Sequence, residues 1–172
     1  GPRYINANTK SHIQSDPTVE IAEMKFISGA CMFFKKEIFD SLGGFDEKFF
    51  LYFEESDFCL RAYKVNKNYQ INRIKVKHYT GTSVQVESNE EKRKLQKLYN
   101  WHFIWSKFYY YKKNYGFFYS LIYFFPIIIR TVFKIIFYMI FKNLEKKENY
   151  TVRLNGLIRS IRGLSSNKRI NN

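Results

Sequence analysis

The most constraining feature of this sequence is an apolar segment of 25 residues, 117–141. A helix of that length is long enough to cross a lipid bilayer. Pro126, Arg130 and Lys134 interrupt the segment, and the two cations are four residues apart, so they share one face of a helix. Charges near the middle of a membrane span are costly, whereas a helix lying in the membrane interface keeps them hydrated. The segment therefore favours an interfacial helix over a span, with an amphipathic helix packed on the protein's own core as the alternative.

Charge is distributed unevenly along the chain. Residues 1–89 contain 12 Lys/Arg and 11 Asp/Glu, a net charge of +1, whereas residues 90–172 contain 17 and 4, a net charge of +13. A basic region of this kind suits either nucleic acid or an anionic membrane surface. Because the apolar run Phe117 to Ile129 fits lipid better than solvated phosphate, we expect the cytoplasmic face of the plasma membrane as partner rather than nucleic acid.

The residues before position 89 alternate between strand-like and helix-like patterns. We expect a buried strand at 24–34, a helix at 35–42 ending at Gly43-Gly44, an aromatic loop at 45–53, a helix at 54–66 and a strand at 69–76. That order predicts an α/β layer structure. Residues 90–143 are expected to form basic, aromatic and amphipathic membrane-associated helices, and the basic polar tail 144–172 is expected to fray. Cys31 and Cys59 both lie in apolar runs, which predicts two buried thiols.

Three carboxylates, Glu54, Glu55 and Asp57, follow a run of aromatic residues. Close spacing and apolar surroundings raise the pKa of at least one such carboxyl group, which can then act as a general base on a hydroxyl. The alternative is an acidic first helical turn that has no catalytic role. Asp57 and Arg61 are four residues apart, the spacing of a structural ion pair on a helix.

Several sequence blocks occur together in one order: Gly1–Asn6, Ile27–Glu37, Gly43–Glu47 with Phe49-Phe50, Glu54–Arg61 and His78–Ser83. With them, the chain resembles family 2 glycosyltransferases, especially the rhamnosyltransferase-like branch. The resemblance covers about residues 1–83. It implies that residues 1–89 are the C-terminal, acceptor-side part of a GT-A fold. It also implies transfer of a sugar from a nucleotide-sugar donor to a hydroxyl acceptor, with inversion at the anomeric carbon.

The resemblance assigns roles to individual residues. It makes Glu55 the general base, although the family usually has Glu-Asp where this chain has Glu54-Glu55, a difference of one methylene that displaces the carboxylate. It places Gly29, Asp46, Glu54 and Asp57 around the donor or acceptor. Strand packing is the alternative for Gly29, and a turn or cap is the alternative for Asp46. It makes His78 a ligand of the metal or diphosphate, with a hydrogen-bonded loop residue as the alternative.

The sequence lacks the metal-binding Asp-x-Asp motif of the resembled family, because none of its four aspartates are paired at that spacing. The complete enzyme is expected to use Mg²⁺ or Mn²⁺, and this chain alone is expected to lack the donor half and to bind no nucleotide sugar productively. A membrane-bound tail suits a glycan or polyprenyl-linked acceptor, as in cell-surface polysaccharide synthesis. The alternatives are an inactive membrane-associated remnant and a basic nucleic-acid-binding protein.

Overall fold

A computed structural model describes residues 20–74, 76 and 88–166. These residues form two compact units: the first comprises 20–45, 55–74 and 76, and the second comprises 46–54 and 88–166. Helices account for 64% of the described residues and strands for 4%. The elements are β1 (Ile21–Glu23), α1 (Lys36–Ser41), α2 (Glu54–Val65), β2 (Tyr69–Ile71), α3 (Asn89–Tyr115), α4 (Phe117–Ile140) and α5 (Leu144–Ile161).

The predicted fold class is wrong, because the described residues are mostly helical and do not form an α/β GT-A fold. Their sheet has two antiparallel strands, β1 and β2, with Ile21 opposite Ile71. Residues 24–34 are irregular, with only a turn and two bends, rather than a buried strand, and β2 is shorter than the predicted 69–76. Each strand has three residues and is largely exposed, so this sheet offers no buried face for helices to cover.

The first unit is built on aromatic packing around α1 and α2. The rings of Phe34, Phe39 and Phe45 surround that of Phe58, with centroids 5.1 to 5.5 Å from it. Helix α1 confirms the helix predicted at 35–42, and α2 confirms the one predicted at 54–66. The residues between them contain neither helix nor strand, as expected for the aromatic loop.

A glycine pair ends α1. Gly43 and Gly44 have φ angles of 72° and 68°, in the left-handed region where residues with a side chain are strained. The Gly44 N–H donates to the carbonyl of Phe39 (2.9 Å), which satisfies one of the free carbonyl groups at the helix end. The prediction that the pair stops the helix is confirmed.

The two cysteines differ in burial. Cys59 lies on α2 and is buried, as predicted, whereas Cys31 is exposed, so the prediction for Cys31 is wrong. Residues 29–31 form a turn and a bend, which carry the Cys31 side chain to the surface instead of into a strand.

Helices α3, α4 and α5 pack on one another in the second unit. Helix α3 begins with a capping box, in which the Ser88 side chain accepts from the Glu91 N–H and the Glu91 carboxylate accepts from the Ser88 N–H. Residues 101–111 of α3 carry most of the buried aromatic core. The loop 46–54 packs on α3, where the Ser106 hydroxyl donates to the Leu51 carbonyl (2.8 Å) and the rings of Phe49 and Tyr109 lie 4.8 Å apart.

The expectation that the tail frays is wrong for residues 144–161, which form α5. The Asn143 side chain caps α5 by accepting from the Lys146 N–H (3.1 Å). Gly156 brings α5 close to α3, because a Cβ at that position would lie 2.8 Å from the Trp101 carbonyl oxygen and 3.1 Å from Ile104 Cγ2. The Ser160 hydroxyl donates to the Trp105 carbonyl (2.9 Å).

Helix α4 runs without interruption through Pro126. Of the described helices, it alone is long and apolar enough to cross a membrane by length and composition, which is weak support for a span. A narrow stripe of Ser120, Phe124 and Thr131 is buried, so α4 packs on its neighbours through one side. The opposite side exposes large apolar residues: Phe118, Ile122, Phe125, Ile129, Phe133, Ile136 and Ile140.

Candidate functional site

Asp57 is completely buried and paired with Arg61 on the next turn of α2. Its Oδ2 accepts from Arg61 Nε (2.8 Å), which confirms the predicted ion pair. The other guanidinium nitrogens of Arg61 donate to the carbonyls of Leu42 (2.6 Å) and Gly44 (2.7 Å). The pair therefore fastens the turn after α1 to α2, and the structure gives Asp57 a structural position in the first unit.

Glu55 and Gly29, two of the predicted site residues, lie together in the first unit. A Cβ at Gly29 would contact the Cβ and Cγ of Glu55 at 3.5 Å. One turn along α2, Cys59 Sγ lies 3.4 Å from the Ile27 amide nitrogen, so residues 27–29 run along the Glu55 and Cys59 face of α2. The Oε2 atom of Glu55 is buried, while the side chain as a whole is half-buried.

Burial raises the pKa of the Cys59 thiol, and the negative charge of Glu55 raises it further, against a backbone hydrogen bond from Ile27. Cys59 also lines a cavity of about 260 Å³ in the first unit, together with Ile27, Met32, Phe33, Phe34, Lys35, Ile38, Phe58, Ala62, Asn66, Lys67, Asn68 and Tyr69. The carboxylate of Glu55 therefore lies one helical turn from a residue that lines a largely apolar cavity.

Glu54 belongs to the second unit and is half-buried. Burial raises the pKa of its carboxyl group, opposed by its own backbone N–H. Its buried Oε2 atom has no hydrogen-bond partner among the described residues. The two preceding residues, Tyr52 and Phe53, have φ angles of 67° and 71°. A left-handed backbone at two bulky residues costs about 1 to 3 kcal/mol each. The sequence gives no signal of this strained turn.

Asp46 anchors the loop 46–54 to α3 within the second unit. Its Oδ2 accepts from the Tyr109 hydroxyl (2.9 Å) and from Lys113 Nζ (2.8 Å), and its Oδ1 accepts from the Lys48 N–H (3.0 Å). Burial raises the pKa of Asp46, but these hydrogen bonds and the Lys113 charge outweigh it and lower the pKa overall. The hydrogen bond from the Lys48 N–H is typical of an aspartate in a turn, which was the alternative interpretation of Asp46.

His78, the predicted metal or diphosphate ligand, lies outside the described residues. Within the described ranges, no group of three His, Cys, Asp or Glu side chains is arranged to hold a metal ion. The residues that the structure describes therefore do not fit the divalent cation that the resemblance implies.

Sequence reasoning also missed a group of basic side chains in the helical bundle. Lys107 on α3, Arg130 on α4 and Arg153 on α5 come from three separate helices. Burial lowers the pKa of both Lys107 and Arg153, and each pKa is lowered further by a neighbouring cation. A pattern within one helix could not have found them, because their proximity depends on the packing of all three.

No family model and no solved structure matches this chain. Among curated proteins, the chain is similar to the low-salt glycan biosynthesis hexosyltransferase Agl10 of Haloferax volcanii, with 42% identity over 40 residues. The match covers 23% of this chain and 13% of that hexosyltransferase. The chain thus spans a small part of the relative, and the similarity indicates a relationship to glycosyltransferases without identifying donor, acceptor or mechanism.

Proposed function

We propose that the chain is the acceptor-side, C-terminal part of a family 2 glycosyltransferase of the rhamnosyltransferase-like branch. It would act on a hydroxyl of a glycan or polyprenyl-linked acceptor in cell-surface polysaccharide synthesis, with a nucleotide sugar as donor. The partial similarity to a hexosyltransferase supports the reaction class. The observation that carries the proposal is the position of Glu55, which lies beside Gly29 on the face of α2 that residues 27–29 follow.

The chemistry proposed for Glu55 is proton transfer. Its carboxylate takes the proton of the acceptor hydroxyl as that oxygen bonds to the anomeric carbon and the nucleoside diphosphate leaves with its electron pair. Residue 29 has no side chain, which leaves space along the Glu55 stem. Asp57 is unsuited to the same role, because it is completely buried and bonded to Arg61. We assign no step to a metal ion.

The second unit is proposed to hold the protein on an anionic membrane surface at the cytoplasmic face. The exposed apolar side of α4 would enter the interface, and the excess of Lys and Arg after residue 90 complements anionic lipid. Lys134 does not oppose this placement, because its ammonium group donates to the Tyr150 hydroxyl (2.8 Å) on α5. A surface-bound bundle would hold the chain on the same membrane as a lipid-linked acceptor.

Glu55→Gln tests the proposal in the full-length protein that contains this chain. Gln keeps the size of the side chain and removes its basicity, so kcat for sugar transfer to a polyprenyl-linked acceptor should fall about 10²- to 10⁴-fold. The matched control is Glu47→Gln, which changes an exposed carboxylate nearby and should leave kcat unchanged. Thermal unfolding of both variants verifies that they fold. Undiminished transfer by a folded Glu55→Gln variant would show that Glu55 is not the base.

A further inference from the structure

One flank of α4 carries cations and faces α5. Arg130 and Lys134 are one turn apart on α4, and Lys134 Nζ lies 2.8 Å from the Tyr150 hydroxyl and 4.8 Å from the centre of its ring. Tyr150 and Arg153 are one turn apart on α5. Helices α4 and α5 are joined by the short link 141–143 and run antiparallel. Arg130 is one turn from Lys134 toward the N-terminus of α4, and Arg153 is one turn from Tyr150 toward the C-terminus of α5, so both lie in the same direction from the Lys134–Tyr150 contact. Arg130 and Arg153 are therefore neighbours.

Lys107 extends this group from α3. Its Nζ lies 5.8 Å from the centre of the Tyr123 ring on α4, and both Lys107 and Arg153 are half-buried. Burial, and then the charge of Arg153, lowers the pKa of Lys107. Burial also lowers the pKa of Arg153, where the effect of Tyr150 opposes it and the charge of Arg130 adds to it. Lys107 and Arg153 are thus each close enough to a second cation to have their own charge destabilised.

The carboxylates of the three helices are engaged elsewhere. Only four occur in α3, α4 and α5. Glu90 pairs with Lys94 (3.1 Å), Glu145 with Arg93 (3.6 Å) and Glu148 with Lys97 (2.6 Å), while Glu91 belongs to the capping box of α3. Among the described residues, Lys107, Arg130 and Arg153 have no ion pair.

Lys107 and Arg153 are half-buried and Arg130 is exposed beside them. Like charges held together without a counter-charge destabilise the free protein, and an anion of matching size removes that cost. We propose that Lys107, Arg130 and Arg153 form a binding site for a phosphate or diphosphate group. Two guanidinium groups offer planar, bidentate donors, and an ammonium group adds a compact charge. The phenol of Tyr150, beside Arg153, is a further hydrogen-bond donor.

The position of these cations on the helix fits a phosphate carried by a lipid. Arg130 lies on the flank of α4, between the stripe packed on the bundle and the exposed apolar side that contains Ile129 and Phe133. With the apolar side in the interface, this flank lies at the level of lipid headgroups. Free inorganic phosphate would present the same chemistry. The proposal does not depend on sugar transfer by Glu55, so either can fail without the other.

Pyrophosphate binding to the 172-residue chain is the first test. We expect inorganic pyrophosphate to raise the thermal midpoint above that in sodium chloride of equal ionic strength, because a ligand of the native state stabilises it. The double variant Arg130→Gln/Arg153→Gln should weaken the affinity measured by calorimetry at least about tenfold, since it removes two charge-assisted contacts. The control Lys92→Gln/Arg162→Gln loses the same charge from exposed sites and should stay within about twofold.

Vesicle binding distinguishes the two sources of phosphate. The probes are neutral phosphatidylcholine vesicles and the same vesicles with phosphatidic acid, whose headgroup is a phosphate monoester. The site is assigned to a lipid headgroup if two results occur together. The double variant loses binding to phosphatidic acid vesicles selectively, and pyrophosphate binds weakly to all of the proteins. Parallel loss of both assigns it to phosphate of either source.

Two results would overturn the site. One is the absence of any rise in the thermal midpoint of the unsubstituted chain with pyrophosphate, together with no preference for phosphatidic acid vesicles. The other is equal loss of binding in the double variant and the control, which would reduce the cations to a general basic surface. The first result needs no variant, so it remains decisive if the double variant does not fold.

Discussion

The acidic turn of α2 and the basic flank of the helical bundle differ in whether their charges have a counter-charge within the chain. Asp57 is buried with Arg61 as its counter-charge, and the remaining donors of Arg61 reach the carbonyls after α1. Lys107, Arg130 and Arg153 have no carboxylate beside them in the described bundle. A charge that is paired within the chain stabilises the fold. An unpaired group of like charges is instead a candidate binding site for an ion of opposite charge, which here is the proposed phosphate.

The largest expected effect is at the paired carboxylate. Asp57→Asn removes the charge partner of a largely buried Arg61, and breaking such a pair should lower the free energy of unfolding by about 3 kcal/mol. The measurement is urea unfolding followed by circular dichroism. The control is Asp40→Asn, which breaks the exposed pair with Lys36 at the same helical spacing and should change stability little. Similar effects of the two substitutions would remove the contrast between a structural pair and a surface pair.

An intermediate effect is expected at Glu54, whose pKa burial raises above the ordinary value of 4.5. Between the unfolded and the native pKa, the native state binds more protons than the unfolded state, so its stability declines as pH rises through this interval. Glu54→Gln removes the charge that burial disfavours and should stabilise the protein at neutral pH by about 1 kcal/mol. Below both pKa values, where the native carboxyl group is already protonated, the substitution should have little effect.

Unfolding free energies measured from about pH 4 to about pH 8 check this sign. The variant should lack part of the decline that the unsubstituted chain shows, and Glu47→Gln, at an exposed site, should retain it. A Glu54→Gln variant that is less stable at neutral pH would mean that the Glu54 carboxylate is stabilised by an anion-binding group, and the contrast with Asp57 would fail.

The smallest effect is expected among the cations. In the absence of phosphate, Arg153→Met should raise the free energy of unfolding by a few tenths of a kcal/mol, because it relieves repulsion with Arg130 and Lys107. The gain should diminish as salt screens the remaining charges. Thermal unfolding at low and high salt measures both. Arg162→Met, at an exposed position after α5, should show no such gain, and a loss of stability in Arg153→Met would indicate that the cations stabilise the free fold.

The helices of the first unit could be predicted because local signals mark their ends. Gly43-Gly44 ends α1, and Glu54 and Glu55 begin α2 where negative charge suits a helix N-terminus. The spacing of Asp57 and Arg61 was equally local, and their pair is confirmed. The strand predicted from the apolar run 24–34 was wrong, because a strand also needs neighbouring strands to pair with, and apolar composition alone does not supply them.

Helix α5 was missed because its contacts with α3 use residues that composition does not mark as a core. Gly156, Leu157 and Ser160 are buried in a segment that is otherwise polar and basic. The basic group of three helices was missed for a related reason: Lys107, Arg130 and Arg153 are 23 residues apart at each step, and only tertiary packing brings them together.

The approach of α5 to α3 at Gly156 has a consequence for recognition. Arg153 precedes Gly156 by one turn on α5. Lys107 follows Ile104, which Gly156 faces, by one turn on α3, so the two cations lie on opposite sides of this contact. A side chain at position 156 would clash with the Trp101 carbonyl oxygen, so the close approach of α5 to α3 depends on glycine. The glycine therefore sets the distance between the two helices that carry Arg153 and Lys107, so a larger residue at 156 should separate the cations and weaken anion binding.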